Sequence, residues 1–388
     1  MDDHARQALM AKRILLGDRA ATAGLVLLVS LPFLIFVPRA LFGGSDEMPG
    51  PPRRWVNTLL ITAGTWPIED GVPAAGSATL ELFTQRASGF AQCYAPSDEI
   101  SINAASAFSG LFPSTSGVQR GGDQLSPEIW TLVTGARNRG ARTAAFLEEP
   151  LATSAGIFGF DTLVESPELG PAGLASAVID DWLTHPDELS FVWVHLSHAG
   201  PSAVVLEDLL RGLTETPGGL DERRRAQTLI VVTAFGSGAE VAEDNDSGFR
   251  VPLYVEMPAD IFAGRRARGA AMITDIAEVI CESADLDRPK RNFDARRSLT
   301  AALGGAEFSE WSLLVGRDWH VLRRNNIRLS APGLPPARPR EVTGWDLKET
   351  QQDRGFTRSK DTASAGAVMR LYQRTLAELP GGVPKRRR

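Results

Sequence analysis

The sequence predicts an α/β protein with a doubly wound, mostly parallel sheet, a small C-terminal antiparallel element, and one transmembrane helix in front of them. Two observations support this fold class. Beyond residue 55, short β-branched apolar runs alternate with segments of helical pattern, as in parallel sheets that are covered on both faces. Near the N-terminus, one uncharged apolar stretch is long enough to span a bilayer.

The predicted elements follow from the apolar runs and their flanking turn residues. The predicted strands are 56–62, 143–147, 191–196, 228–233 and 251–256. The predicted helices are 174–183, 203–213 and 272–283, which lie between or after those strands. Segment 311–321 is predicted to form the antiparallel element, and segment 345–379 is predicted to form a last helix. This alternation of strand and helix is typical of open α/β sheets.

Composition excludes some classes of function. The chain has 388 residues, of which 43% are hydrophobic and 23% charged, as in an ordinary globular protein. Its net charge of −6 argues against nucleic-acid binding, which normally needs a broad cationic surface. Short basic clusters occur at 265–268 and 385–388. We interpret them as solvated surface, with contact to anionic lipid headgroups or an acidic partner as the alternative.

The two cysteines, Cys93 and Cys281, lack the paired spacing of a structural zinc site. A disulfide between them is compatible with an oxidising compartment, but spacing alone does not establish that they meet. Neither residue lies in a sequence context typical of a catalytic thiol.

The stretch 20–37 is about 27 Å long as a helix, which is close to the thickness of the bilayer core. Basic residues concentrate on its N-terminal side, so the positive-inside rule places the N-terminus in the cytoplasm and the main domain in the periplasm or outside the cell. A cleaved signal peptide is the alternative; the acidic n-region and the missing A-x-A site favour an uncleaved anchor in the inner membrane. The predicted organisation is a cytoplasmic segment 1–19, a membrane helix 20–37, a linker 38–54, an α/β domain 55–303, a C-terminal subdomain 304–380 and a basic tail 381–388.

Several segments occur in the order of one known family. They are NTLLITAGTWPIED from residue 57, SGFAQCYAPSDEISINAASAFSGLFPSTSGV from 88, LSPEIWTLVTGARNRGARTAAF from 125, FVWVHLSHAGP from 191, TLIVVTAFGSGAE from 228, RVPLYVEMP from 250 and WDLKETQQDRGFTR from 345. Together they resemble the sulfatase-like branch of the alkaline-phosphatase superfamily over nearly all of residues 55–380. The resemblance implies that fold and, in active members, hydrolysis of sulfuric or phosphoric esters at a metal site.

The chain departs from the family pattern where the chemistry is done. The metal-binding aspartate of the first strand falls at Gly64, and the nucleophile position falls at Ile100. The Arg or His that follows the nucleophile falls at Ala104, and the metal-binding Asp-His pair falls at Phe235 and Gly236. A one-residue shift, to 234–235, leaves that pair equally without ligands. None of these side chains can coordinate a cation or attack an ester.

The resulting hypothesis is a pseudoenzyme without a metal or cofactor, which binds a protein partner, an anionic glycan or an ester without turning it over. The alternative is an active ester hydrolase with a rearranged site at Ser101, His195 and His198. The acidic run 240–246 is a further place where calcium could bind, although a solvated loop is the simpler interpretation. A structural subunit of a membrane complex is a third hypothesis, which no motif favours directly.

Overall fold

A computed structural model describes the part of the chain beyond the predicted linker, with gaps. None of the helices in this part has both the length and the apolar character needed to cross a membrane. The predicted segments 1–19, 20–37 and 38–54 lie outside the described residues. The described residues are 56–66, 68–69, 72–73, 78–149, 151, 158–199, 203–239, 247–288, 294, 298–306, 312–315, 319–324, 327–332, 343–346 and 372–373.

Among the described residues, ten strands precede a small C-terminal sheet, and eight of them form one large sheet. They are β1 Asn57–Thr65, β2 Ile68–Glu69, β3 Val72–Pro73, β4 Ser88–Tyr94, β5 Arg142–Leu147, β6 Thr162–Glu165, β7 Ser190–His198, β8 Thr228–Ala234, β9 Leu253–Glu256 and β10 Arg266–Met272. The order in the large sheet is β10-β4-β9-β8-β1-β7-β5-β6, while β2 and β3 form a separate two-stranded sheet.

The large sheet is parallel except at β9, which runs antiparallel to both β4 and β8. The prediction of a large, mostly parallel sheet is therefore confirmed. Strand β1 lies between β7 and β8, and its interior residues are buried on both faces. The direction of β9 had no signal in the sequence, because a short buried apolar run looks the same in either orientation.

The helices fall into two packed groups. In one, α1 and α5 both pack on α6; in the other, α8 packs on α2, α4 and α9. The helices are α1 Ala78–Arg86, α2 Ile100–Ser109, α3 Pro113–Ser116, α4 Leu132–Asn138, α5 Gly170–Thr184, α6 Val204–Glu215, α7 Glu222–Arg225, α8 Ile276–Ser283 and α9 Leu299–Leu303. Helix α6 is amphipathic, and its buried leucines Leu206, Leu209, Leu210 and Leu213 recur at helical spacing.

The predicted helix 272–283 begins too early. Met272 still belongs to β10, and a 3₁₀ turn, Ile273–Asp275, comes before α8. The Asp275 carboxylate accepts a hydrogen bond of 2.8 Å from the Met272 backbone N–H, which stabilises this turn. The apolar run continues through the turn because both the end of the strand and the helix face the core, so periodicity alone could not find the boundary.

The described C-terminal residues form a four-stranded antiparallel sheet of β11 Ser312–Val315, β12 Trp319–Arg324, β13 Ile327–Pro332 and β14 Thr343–Asp346. This confirms the predicted antiparallel element. The predicted last helix, 345–379, is wrong at its start, because Trp345 pairs with Arg328 inside the sheet. Beyond 346 only 372–373 are described; there the Tyr372 hydroxyl lies 2.7 Å from His320 Nε2, and both side chains are fully buried.

Arg225 and Glu256 form a buried ion pair at the amino-terminal side of the sheet. Arg225 Nη1 lies 2.7 and 2.8 Å from the two carboxylate oxygens of Glu256. The Glu256 side chain is only 2% exposed, and the Arg225 side chain is 14% exposed. Removal of one partner from such a pair leaves a buried charge without compensation, which is strongly destabilising.

We therefore expect Arg225→Ala to lower the free energy of unfolding by about 3 kcal/mol, measured by urea unfolding of the purified chain. Arg223→Ala is the matched control, since Arg223 lies in the same short helix with an exposed side chain. We expect the control to change stability by less than about 0.5 kcal/mol. Equal effects of the two substitutions would contradict the assigned importance of the pair.

Candidate functional site

The segments that the family resemblance marks as chemical meet at the carboxyl ends of β1 and β8. A Cβ atom placed on Gly64 would lie 3.5 Å from Ile100 Cδ1, and one placed on Gly236 would lie 3.7 Å from Ile100 Cγ1. Gly64 ends the buried part of β1, Gly236 follows β8, and Ile100 begins α2. Ligands bind α/β sheets at this edge. We call Gly64, Ile100 and Gly236 the apolar triplet.

The position of Gly64 is closed by backbone rather than by a side chain. A Cβ atom on Gly64 would overlap the carbonyl oxygen of Ser197, and it would lie 3.2 Å from the carbonyl carbon. Strand β7 is paired with β1 as far as Thr65 and His198, which brings the Ser197 carbonyl to this place. Only glycine fits here without a shift of one of the two strands.

Asn103, in the first turns of α2, joins this helix to the segments that follow β4 and β8. Its side-chain nitrogen donates to the carbonyl oxygens of Ser97 at 2.7 Å and Phe235 at 2.6 Å, and its Oδ1 accepts from the Ser97 N–H at 3.0 Å. The Asn103 side chain is fully buried. These bonds satisfy backbone polar groups of the segments that follow β4 and β8, so they fix α2, and with it Ile100, against the end of β8.

The apolar triplet and the side chains next to it do not fit a catalytic metal. Ala104 and Phe235 are fully buried, and Ile100 presents only an alkyl side chain to Gly64 and Gly236. No group of three or more His, Cys, Asp or Glu residues among the described residues is arranged to hold a metal ion. The acidic run 240–246 lies outside the described residues. A hard cation needs oxygen ligands, and the apolar triplet supplies no side-chain donor.

His195 belongs to the core instead of to the sheet edge. Its side chain is 2% exposed, stacks on Phe235 with ring centroids 5.7 Å apart, and has Nδ1 2.7 Å from the Thr62 hydroxyl. The same hydroxyl accepts a 2.8 Å hydrogen bond from the Trp193 indole. Burial lowers the pKa of His195 from 6.5 to about 3, so the ring is neutral at physiological pH.

The other two residues of the rearranged-site hypothesis lie apart from this core histidine. Ser101 is a half-buried residue in the first turn of α2, and His198 is an exposed residue at the end of β7. The hydrogen-bond partner of His195 is Thr62, and within the described part of the chain no hydrogen bond joins Ser101 to either histidine. An activated serine needs a base within hydrogen-bond reach, which these contacts do not provide.

The residues near the site that agree with the family pattern have structural roles. Gly110 and Gly117 adopt left-handed conformations, φ 67° and 80°, as the residues that end α2 and α3. Pro113 starts α3, where its missing N–H removes no hydrogen bond. Asn103 and Ser197 were not identified from sequence. An asparagine between Ile102 and Ala104 was a usable signal for the first, whereas Ser197 acts through its carbonyl, which no side-chain pattern reveals.

Both cysteines are buried, and no disulfide joins Cys93 to Cys281. Burial raises the pKa of the Cys281 thiol to about 12, with a further contribution from the Glu282 charge. A thiol with so high a pKa is a poor nucleophile at neutral pH. Cys281 is therefore a core residue of α8, and it adds no chemistry to the candidate site.

The closed position at Gly64 predicts a stability cost for even one added carbon. We expect Gly64→Ala to lower the free energy of unfolding by about 1–3 kcal/mol, because the new methyl group overlaps the Ser197 carbonyl. Gly236→Ala is the graded comparison, because its Cβ would meet the Gly64 carbonyl oxygen at 3.1 Å, a milder contact. Urea unfolding measures both. A neutral Gly64→Ala would contradict the closure.

The pKa of His195 predicts a dependence of stability on pH. Because this pKa falls from 6.5 to about 3 on folding, the unfolded chain binds the extra proton between these values. The contribution of His195 is thus present above about pH 6.5 and is lost as the pH falls, with a slope of up to about 1.4 kcal/mol per pH unit. We expect His195→Gln to show a shallower decline from pH 6.5 to 4 in urea unfolding. An unchanged slope would place His195 in contact with solvent.

Comparison with known proteins shows similarity at the level of structure alone. No protein-family profile and no curated protein sequence matches the chain. The phosphonate monoester hydrolase of Agrobacterium radiobacter superimposes with a TM-score of 0.62 at 16% identity, covering 83% of this chain and 95% of that one. The PsFucS1 sulfatase from Pseudoalteromonas sp. gives 0.62 at 13% identity, covering 84% and 92%.

A protein in the alkaline phosphatase superfamily from Vibrio parahaemolyticus is also similar, with a TM-score of 0.59 at 15% identity, covering 84% of this chain and 90% of that one. All three identities are low, so these similarities establish fold and not activity. The large, mostly parallel sheet and the small C-terminal antiparallel sheet of this chain fit that fold. The chain has the fold of the sulfatases and phosphonate monoester hydrolases of the alkaline-phosphatase superfamily.

Proposed function

We propose that this chain is a membrane-anchored, sulfatase-like pseudoenzyme that works by binding and not by hydrolysis. The observation that carries the proposal is the apolar triplet. Gly64, Ile100 and Gly236 meet where the fold relatives are expected to hold metal and nucleophile, and the Ser197 carbonyl takes the space that a side chain at position 64 would need.

Hydrolysis of a sulfuric or phosphoric ester needs charge neutralisation on the ester oxygens and an activated nucleophile. A divalent cation next to Ile100 would lose its hydration without gaining anionic ligands, and the cost of that desolvation would prevent binding. The neighbouring side chains of Phe235 and Ala104 are fully buried and add no donor. Both parts of the reaction are therefore unsupported at this edge of the sheet.

The binding role has two candidate ligand classes, a protein partner and an anionic glycan or ester. Two structural neighbours support the second class. BT4656 was solved with its substrate D-glucosamine-2-N,6-O-disulfate, at a TM-score of 0.62 and 12% identity to this chain. Ps i-CgsB was solved with k-i-k-neocarrahexaose, at 0.66 and 12%. A domain that keeps this fold without its chemistry can retain a surface for such ligands.

The competing function is an active ester hydrolase that uses Ser101, His195 and His198. It requires His195 to reach the solvent-facing side of the sheet, although the ring is buried and bonded to Thr62. It also requires a base beside Ser101. No contact among the described residues favours this arrangement, so we keep it only as an outcome of the test below.

We expect the purified full-length chain in detergent to show the same thermal unfolding in calcium, in zinc and in EDTA, because the apolar triplet has no metal ligand to lose. We also expect no hydrolysis of aryl sulfate, phosphate or phosphonate esters above a buffer blank. Metal-dependent turnover that Ser101→Ala abolishes would establish the competing function. A drop of melting temperature in EDTA without turnover would contradict the expected independence of stability from metal.

The anchor is the second part of the proposal, and it rests on the uncharged segment 20–37 and on the basic residues before it. We expect the full-length chain to stay in the membrane pellet after alkaline carbonate extraction and to be digested by protease added to spheroplasts. Deletion of 20–37 should release the chain to the soluble fraction. Extraction of the intact chain by carbonate, or its protection in spheroplasts, would contradict the anchor or its orientation.

A further inference from the structure

The Ser197 carbonyl that closes Gly64 is held in place by a carboxylate on the neighbouring strand end. Glu148 follows β5, and its Oε2 atom accepts two hydrogen bonds from Ser197, one from the backbone N–H at 2.8 Å and one from the hydroxyl at 2.9 Å. Hydrogen bonds to an ionised carboxylate are stronger than those between neutral groups. The Ser197 residue is therefore fixed through both its main chain and its side chain.

Backbone hydrogen bonds fix the residues on either side of Ser197. The Glu148 N–H donates to the His195 carbonyl at 2.9 Å, and the Ala199 N–H donates to the Thr65 carbonyl at 2.8 Å. The first bond joins β7 to the end of β5, and the second joins it to the end of β1. Ser197 lies between these two attachments, so its carbonyl cannot move away from Gly64 while both attachments and the Glu148 contacts persist.

We propose that Glu148 is a positioning residue that keeps the position at Gly64 closed. Position 64 thus lacks the expected metal ligand, and the Ser197 carbonyl lies where the side chain of that ligand would be. Glu148 is the side chain that holds the carbonyl there. The inference goes beyond the proposed function, because it assigns a role to a residue outside the apolar triplet. If Glu148 has this role, substitutions at Gly64 and at Glu148 are energetically coupled, although the two residues interact only through Ser197.

A double-mutant cycle on the full-length chain in detergent tests this coupling. Gly64→Ala lowers the melting temperature because its methyl group meets the Ser197 carbonyl. In the Glu148→Ala background the Ser197 carbonyl can move aside. We therefore expect Gly64→Ala to lower the melting temperature there by less than about half of the decrease that it causes in the parent chain. The matched control is Glu149→Ala, since Glu149 is adjacent and exposed. In that background the effect of Gly64→Ala should equal its effect in the parent chain.

Additive effects of Gly64→Ala and Glu148→Ala would overturn the proposal. If Glu148→Ala does not fold, Ser197→Ala replaces it in the cycle, since it removes only the hydroxyl bond and should give a smaller coupling of the same sign. Additivity in that cycle would also overturn the proposal. Neither result depends on metal binding or turnover, so the proposed function would stand or fall separately.

Amide hydrogen exchange provides a local measurement. The Ser197 N–H donates to Glu148, so we expect its exchange in the parent chain to be slow and to accelerate in Glu148→Ala, with no change in Glu149→Ala. Acceleration confined to peptides that contain Ser197 and its neighbours supports the positioning role. Unchanged exchange at Ser197, or acceleration spread evenly over the chain, would overturn it.

Discussion

The close approach of two strand ends, where the Ser197 carbonyl of β7 meets the Cα of Gly64 in β1, is the constraint on which the rest of the site depends. Strand β1 lies in the middle of the sheet and is paired on both sides, so it cannot shift to make room for a side chain. The bond from the Ala199 N–H to Thr65 then extends the β1–β7 contact past the position of Gly64. A ligand site at this edge therefore cannot include a side chain at position 64.

The residues that pack around Gly64 are mostly buried and apolar. Ile100 begins α2 beside Gly64 and Gly236, and Asn103 in the same helix binds the loops after β4 and β8. Beneath them, His195, Trp193 and Phe235 form one buried aromatic group, in which the polar atoms of His195 and Trp193 meet the Thr62 hydroxyl. The edge that usually receives a ligand is thus continuous with the buried core.

Much of the fold could be predicted because it depends on apolar periodicity. The runs at 56–62, 191–196 and 228–233 correspond to the three adjacent strands β1, β7 and β8, whose β-branched residues signal burial on both faces. Strand β4 gave no such signal, because Gly89, Gln92 and Cys93 interrupt its apolar character. The antiparallel direction of β9 depends on which neighbours it meets, and that information is not local.

The candidate site, like the fold, could be predicted only in part. That Gly64, Ile100 and Gly236 lack chemical side chains could be predicted from the residue types, and that they stand close together followed from the order of the family-like segments. The closure by Ser197 could not be predicted, because a backbone carbonyl carries no residue-specific signal. The role of Glu148 was equally hidden, since it depends on the distance between the ends of β5 and β7.

Backbone and alkyl groups occupy the place where fold relatives are expected to hold a metal. The most direct test is anomalous diffraction from crystals of the full-length chain, grown in lipid with excess zinc and, separately, with excess calcium. We expect no anomalous peak within coordination distance of Gly64, Ile100 or Gly236, with the Ser197 carbonyl in contact with Gly64. A peak there, with Ser197 displaced and ligands drawn from other residues, would contradict it.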